Sequence, residues 1–495
     1  MSAEPLTGRG APPADRAPLL DALLAYADRG VRGLHTPGHK GGRFAPPRML
    51  EALGPAAFRL DLPAMGATDN TFHPRGCLAE AERLAADLYG VSATRFLAGG
   101  ATQGLLAGVL AAVPEGESLL LSRIAHRSAF SALALSGAVP RYLMPPSADP
   151  AAAADLTAAD VARHLDADPR IRALLLTRPS YYGVAAELDA LREVAALCRR
   201  RSVLTIVDEA HGGHFKFLPA GRGPGSAVDV PVDLVIQSPH KTLGALVGGA
   251  WAHFPRGSRL DPARFAARLN LLQTTSPSNL VLASLDAVRQ WLHGAGRDRF
   301  AAALPEVSAL RATLAALPGV RLSGPGCDPA DFAATDPFRL AVDVSGTGAD
   351  GPAVERALRE RAIEHEFCDR THVVFVLGPD DDRSAWAGLV DTFAALPPGR
   401  PGTGGHGSGA ELPEPRVRLS PRQAVPRPTE AVRRADAAGR TAGEVIAVYP
   451  PGIPLACPGE EVTAAVLRAA DAAAAAGLSV HAADPTLERI VVLTD

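Results

Sequence analysis

The sequence predicts an α/β protein built on a mostly parallel sheet, and three observations carry that expectation. Continuous apolar runs of strand length recur through the first three hundred residues, helical segments lie between them, and polar residues gather just after the runs. A run without polar alternation is buried on both faces, as a parallel strand covered by helices must be.

The elements follow in order. An amphipathic helix is expected from Pro18 to Arg29, then a loop, HTPGHKGG, at 35–42. Leu78 to Tyr89 reads as a helix and Thr94 to Leu97 as a short strand, after which Gly99-Gly100 opens a long apolar helix through Val113. Strand-like SLLLSR (118–123), helix-like SAFSALALSG (128–137) and strand-like VPRYLM (139–144) come next. ALLLT (173–177), VLTIVDEA (203–210) and DLVIQS (233–238) are the clearest apolar runs, and LDALREVAALCRRR separates the first two as a helix. Beyond residue 300 a helix, PEVSALRATLAAL, precedes strands near FRLAVDV (338–344) and HVVFVLG (372–378). The expected organisation is an N-terminal segment (1–45), a large domain (46–300), a smaller α+β domain (301–396), a Gly/Pro-rich linker (397–415) and a C-terminal module (416–495). The linker composition cannot pack a core.

The 495-residue chain is 47% hydrophobic and 21% charged, an ordinary globular balance. A net charge of −3 gives no pull toward nucleic acid or an anionic membrane. The run Arg199-Arg200-Arg201 reads as a solvated helix end. Five widely spaced cysteines provide neither a disulfide framework nor metal-ligand spacing, which suits a reducing cytoplasm. The histidine pairs His35/His39 and His211/His214 fall in no metal motif, so no metal is expected. The N-terminus lacks an apolar signal core and no apolar run reaches 18 residues, so a soluble protein is expected.

Three groups in this frame fit a pyridoxal-phosphate (PLP) site, which needs a lysine for the aldehyde, an acid beside the pyridine nitrogen and a phosphate cradle. Lys241, in QSPHKTLGALVGG, follows the strand DLVIQS and so faces the crevice at the strand ends. Its surroundings, Ser238, His240 and Thr242, are polar within an apolar stretch; Lys40, in the loop before the sheet, is the rival lysine. Asp208 ends the strand VLTIVD, where an acid can keep the pyridine nitrogen protonated or simply cap the next turn. Gly99-Gly100-Ala101-Thr102 lies at a helix start, where free amides and the helix dipole suit a phosphate, or where a plain tight turn would do. His126, with Ser128 nearby, again follows a strand and could stack on a ring or be a loop histidine.

These residues resemble the Orn/Lys/Arg decarboxylase family, bacterial basic amino-acid decarboxylases of PLP fold type I, in the shorter form without an N-terminal wing domain. The resemblance covers nearly all the chain after residue 30. It rests on HTPGHKGG (35–42), GGATQG (99–104), AHRSAFSALALSGAVPRYL (125–143), VDEAHGGH (207–214), SPHKTLGALVGGAWAHF (238–254), TSPSNLVLASLDAVR (275–289), LSPRQAVPRPTE (419–430) and YPPGIPLACPGE (449–460). It implies that Lys241 is the Schiff-base lysine, Asp208 the nitrogen partner and His126 the ring-stacking residue. It further implies that Gly100, Ala101, Thr102, Ser238 and His240 hold the phosphate, and that His211 lies near the ring oxygen or the substrate carboxylate. Thr275 and Ser276 would reach the phosphate of a neighbouring subunit, since sites in this fold sit at a homodimer interface. Arg127, Asn279 and Asn70 depart from the family pattern and bear on substrate choice.

The reading that follows is decarboxylation of arginine, lysine or ornithine to the corresponding polyamine-type amine. Lys241 or His240 would return a proton to Cα. A basic substrate also needs an anion for its distal cation, because an unpaired buried charge is costly; Glu366 and Glu460 are the candidates. Transamination or elimination on the same fold, and a non-catalytic PLP-binding protein, remain the competing readings.

Overall fold

Seven strands form the central sheet of this computed structural model, which describes residues 13–145, 157–322, 334–399, 412–449, 452–475 and 478–494. In chain order they are β1 (Ala93–Leu97), β2 (Ser118–Ser122), β3 (Val139–Leu143), β4 (Ile171–Thr177), β5 (Leu204–Asp208), β6 (Leu234–Gln237) and β7 (Ala250–Phe254). Their order across the sheet is β1-β7-β6-β5-β4-β2-β3. β7 alone runs against the rest, pairing antiparallel with both β1 and β6. The other pairings, β6–β5, β5–β4, β4–β2 and β2–β3, are parallel.

The apolar runs divide residue by residue between two cores. Leu120, Leu174, Val207, Val235 and Trp251 point to one face, and their neighbours Leu119, Leu175, Ile206, Ile236 and Ala252 to the other. Period-2 alternation with both faces covered is what the continuous runs encode. The helices of this part are α1 (Pro18–Asp28), α2 (Pro47–Leu60), α3 (Cys77–Tyr89), α4 (Gly100–Ala112), α5 (Arg127–Ser136), α6 (Ala158–Ala167), α7 (Leu188–Arg200), α8 (Pro239–Thr242), α9 (Pro262–Leu272) and α10 (Asn279–His293). α3, α7 and α10 contribute to the first core, and α4, α5 and α9 to the second. α4 packs close against the sheet. A Cβ on Gly104 would sit 2.7 Å from Leu97, and one on Gly108 2.6 Å from Leu234.

A second, antiparallel sheet follows α11 (Gly296–Ala315): β8 (Arg321–Leu322), β9 (Arg339–Asp343), β10 (Phe367–Cys368) and β11 (His372–Val376), ordered β10-β11-β9-β8. α12 (Gly351–Arg359) and α13 (Arg383–Ala394) join it. The C-terminal segment pairs β12 (Thr429–Arg433) with β16 (Arg489–Leu493), and sets β13 (Ile446–Tyr449) between β14 (Ile453–Ala456) and β15 (Ser479–His481). A helix at Ala464–Ala475 shares its core, which includes Ile446, Leu455, Val466 and Ile490.

Most expected elements lie within a few residues of their sequence positions. Others were not marked in the sequence, among them α2, α6, α9, α10, α12, α13 and β7, whose five residues follow two glycines. Residues 400–411 of the expected linker lie outside the described residues, as do 450 and 451 of the Pro-rich loop. No described helix is long and apolar enough to cross a membrane.

Candidate active site

The parallel strands β1, β2, β4, β5 and β6 deliver their carboxyl ends to one edge of the sheet. A cavity of about 370 Å³ opens there, lined by Gly100, Ala101 and Thr102 after β1, His126 after β2, Asp208 and His211 from β5 and its loop, and Ser238, His240 and Lys241 after β6. Nine of the residues singled out from the sequence therefore share one cavity.

Lys241 sits in the single turn of α8, and Pro239 starts that turn with no amide left to satisfy. Its Nζ lies 2.8 Å from His211 Nε2. On the far side of that ring, Arg339 Nη2 donates to Nδ1 at 2.5 Å. An arginine can only donate, so the His211 proton belongs on Nε2 and the partner amine accepts it. Burial, aided by the Lys241 and Arg339 charges, holds His211 well below its ordinary value. Burial also lowers Lys241, with Arg339 acting in the same sense and Asp208 and Glu366 opposing. The result favours a neutral, nucleophilic lysine. Burial pushes Asp208 up, and Lys241 pulls it back. It accepts one long hydrogen bond, from the Ala210 amide at 3.2 Å.

His126 is the N-cap of α5. Its Nδ1 accepts the Ser128 amide at 3.2 Å and lies 2.7 Å from Ser128 Oγ, which fixes the ring proton on Nε2. Burial first, then the Lys241 and Arg127 charges, lower it to about 4, so the ring is neutral. Ser128 is thus a support for His126 and does not line the cavity. His240 Nδ1 donates to the Gly249 carbonyl at 2.8 Å, which leaves a lone pair on Nε2.

The cavity residues fit PLP. The Ser238 hydroxyl is fully buried without a partner, and so is that of Thr177, which also lines the cavity. A buried hydroxyl without a partner is costly and suits a group that supplies acceptors. Gly100 has φ +70° and donates its amide to Gly248, itself at φ +93° with only 3.4 Å between a would-be Cβ and the Ala98 carbonyl. This pair keeps side chains out of the mouth of α4, where the first-turn amides have no partner within the helix.

Four expected residues lie elsewhere. Thr275 and Ser276 are exposed in the turn between α9 and α10 and do not reach this chain's own cavity. Glu366 is exposed beside β10, near enough to act on Lys241 and Arg339 through its charge. Glu460 corrects the sequence reading. Both of its oxygens are held by the buried Arg123, at 2.8 and 2.9 Å, and the Cys457 amide adds a third bond at 3.0 Å. So held, it is buried and does not line the cavity. The histidine pairs weighed for metal are spoken for as well: His214 bonds Asp336 at 2.8 Å, and His39 Asp61 at 3.2 Å.

Sequence reasoning missed Arg339 and Thr177. Arg339 opens β9 at 1% exposure, and Gly183 makes room for it, since a Cβ there would overlap its side chain. The signal was a charge heading the apolar run RLAVD. Thr177 ends β4 directly opposite Asp208.

A mostly parallel sheet with a half-buried lysine, a buried acid and an anion cradle at its carboxyl edge defines a lysine-dependent PLP enzyme. Residues 17–325 match the Orn/Lys/Arg decarboxylase major domain, and residues 411–474 the C-terminal domain of the same proteins. The arginine decarboxylase of Halalkalibacterium halodurans is 33% identical, with 91% of each chain covered. That of Bacillus subtilis is 31% identical over 90% of this chain and 91% of its own. Among solved structures, the Francisella novicida lysine decarboxylase superposes with a TM-score of 0.81 at 16% identity, covering 97% of this chain and 81% of that one. The chain belongs to the Orn/Lys/Arg decarboxylase family and is a decarboxylase.

Proposed function

We propose that the chain removes the carboxylate of a basic L-amino acid, arginine ahead of lysine and ornithine, giving the amine and CO₂. The observation that carries this reading is Lys241 and Asp208 sharing a cavity in which the Ser238 and Thr177 hydroxyls are buried without partners. The arginine preference is supported by the names of relatives that are 30–33% identical over nine-tenths or more of the chain.

Gly100, Ala101, Thr102, Ser238 and His240 would hold the phosphate, His126 the ring face and Asp208 the ring nitrogen. Bound there, PLP supplies the electron sink for the pair released with CO₂. Asp208 is suited to its place because a buried carboxylate demands a cation opposite it. Lys241 Nζ and His240 Nε2 are the two groups able to carry a proton to Cα. Arg339 fixes His211 with its Nε2 proton turned toward Lys241, at the place where a substrate oxygen would lie. Glu366 is the acid for the distal cation, supported by its charge reaching both Lys241 and Arg339. A second copy of the chain completes the site. Val247 lines the cavity at 85% exposure, and an apolar side chain so exposed at a binding site calls for cover. Thr275 and Ser276 would reach the partner's phosphate.

The test is to add PLP to purified wild-type and Lys241→Ala protein, record the cofactor absorbance, and assay CO₂ and amine from arginine, lysine and ornithine. A band lost in the variant, with CO₂ released fastest from arginine, is the expected result. A lysine-dependent band without CO₂ from any of the three would sink the decarboxylation of basic amino acids while leaving the cofactor site intact.

A further inference from the structure

Away from the cavity, Glu355 on α12, His365 before β10 and Cys368 in β10 bring one ligand atom each within 4.8 Å of one another. Cys368 Sγ is 3.5 Å from Glu355 Oε2, and His365 Nε2 is 3.9 Å from Glu355 Oε1. The histidine side chain is 6% exposed, yet 3.9 Å is beyond hydrogen-bond reach and its Nδ1 is buried without a partner. The ring is thus enclosed, with Nε2 turned toward the carboxylate but not bonded to it, which leaves that nitrogen open to a metal.

We propose that Glu355, His365 and Cys368 form a binding site for a divalent transition metal of the zinc class. Thiolate, imidazole and carboxylate together select such an ion over magnesium or calcium, which take oxygen. Zinc with bonds of about 2.0–2.3 Å sets tetrahedral donors about 3.3–3.8 Å apart. Cys368 meets Glu355 at Oε2 within that range and His365 meets it at Oε1 at 3.9 Å, so a carboxylate spanning both sides and a contraction of the cluster from within 4.8 Å bring the three donors onto one ion. Thiolate and carboxylate cancel the two charges of the ion, so a neutral assembly occupies a largely buried place, and the thiol proton leaves to solvent on binding. Arg359 holds Glu355 Oε1 at 2.8 Å and serves as the outer partner that fixes the carboxylate. Water takes the fourth position. The site staples α12 to the edge strand of the second sheet, where β10 contributes only two residues of pairing.

Full-length holoenzyme, stripped with a chelator and dialysed against buffered Zn²⁺, should retain one zinc per chain. Cys368→Ser and His365→Ala should each weaken retention about 100-fold, and Glu355→Gln about tenfold. Co²⁺ in place of Zn²⁺ should give tetrahedral d–d bands that Cys368→Ser loses. Each metal-free variant is compared with the metal-free wild type by thermal unfolding, which separates lost ligation from lost fold. If one variant fails to fold, the other two still decide the matter. Wild-type protein that takes up no zinc at micromolar free metal, or zinc retained equally in folded variants, would overturn the site.

Discussion

Asp208 and Glu209 are adjacent, both are buried, and they have opposite lives. Glu209 is saturated. It takes Arg178 at 3.0 Å, the Ala227 amide at 2.8 Å, and Ser226 and Gln237 at 2.7 Å each. Asp208 keeps one long amide contact and a lysine across the cavity. Successive residues at a strand end point to opposite faces, so one acid enters the closed interior and the other the crevice. The lesson is that a buried acid with every lone pair used is architecture, and one left short of partners awaits a ligand. Arg123–Glu460 belongs to the first kind. Arg123 lies under the Tyr142 ring and also donates to the Leu455 carbonyl, which ties the C-terminal segment to the large sheet.

Several substitutions would break or sharpen this contrast. Lys241→Ala carries the largest effect, removing both the cofactor band and turnover. Asp208→Asn should lower kcat by about 10³-fold, about 4 kcal/mol of barrier, with unfolding unchanged or slightly later because a buried charge is gone. A parallel fall in stability would mean Asp208 is as structural as its neighbour. Glu209→Gln should do the reverse, since Arg178 is left with a buried, uncompensated charge. The expected loss is about 3–5 kcal/mol in denaturant unfolding. Glu460→Ala strands Arg123 in the same way and should cost a similar amount. The Arg123→Met/Glu460→Leu double variant should recover much of it. A Glu460→Ala protein of normal stability but raised KM would restore this residue to the substrate site.

The fold and half of the site were legible because one signal served both. An apolar run that ends in a polar residue is a strand whose last side chain faces the crevice, and Asp208, Lys241, His126 and the Gly99-Gly100 turn all carry it. Arg339 was not legible. It comes from another sheet about a hundred residues on, and only tertiary packing brings it to His211. Glu460 misled for the complementary reason: a conspicuous acid in a Pro-rich loop gives no hint that Arg123, more than three hundred residues earlier, has claimed it. β7 went unmarked because AWAHF is short and follows two glycines, one of which, Gly249, is pressed within 2.9 Å of Leu285 where a Cβ would stand.

The weakest expected effect tests whether saturation also governs the histidines. His253 on β7 lies 2.9 Å from Thr94 Oγ1 and stacks on Tyr89 at 4.3 Å, while its Nε2 is buried without a partner. Burial, with a smaller push from the Lys216 charge, lowers it to about 3. The unfolded chain takes up a proton as pH falls through about 6.5, whereas the folded one refuses it until about 3. Its contribution to stability is therefore complete above pH 6.5 and is lost steadily as pH falls toward 3. His126, lowered to about 4, acts in the same sense, while the raised carboxyl of Asp208 acts against it. Comparing variants at two pH values isolates one group from this sum. His253→Gln should shrink the stability difference between pH 7 and pH 5 by about 2 kcal/mol, read from denaturant midpoints. An unchanged difference would mean that His253 takes up its proton equally in both states. An unpartnered buried nitrogen would then not by itself mark a group that the folded protein keeps neutral.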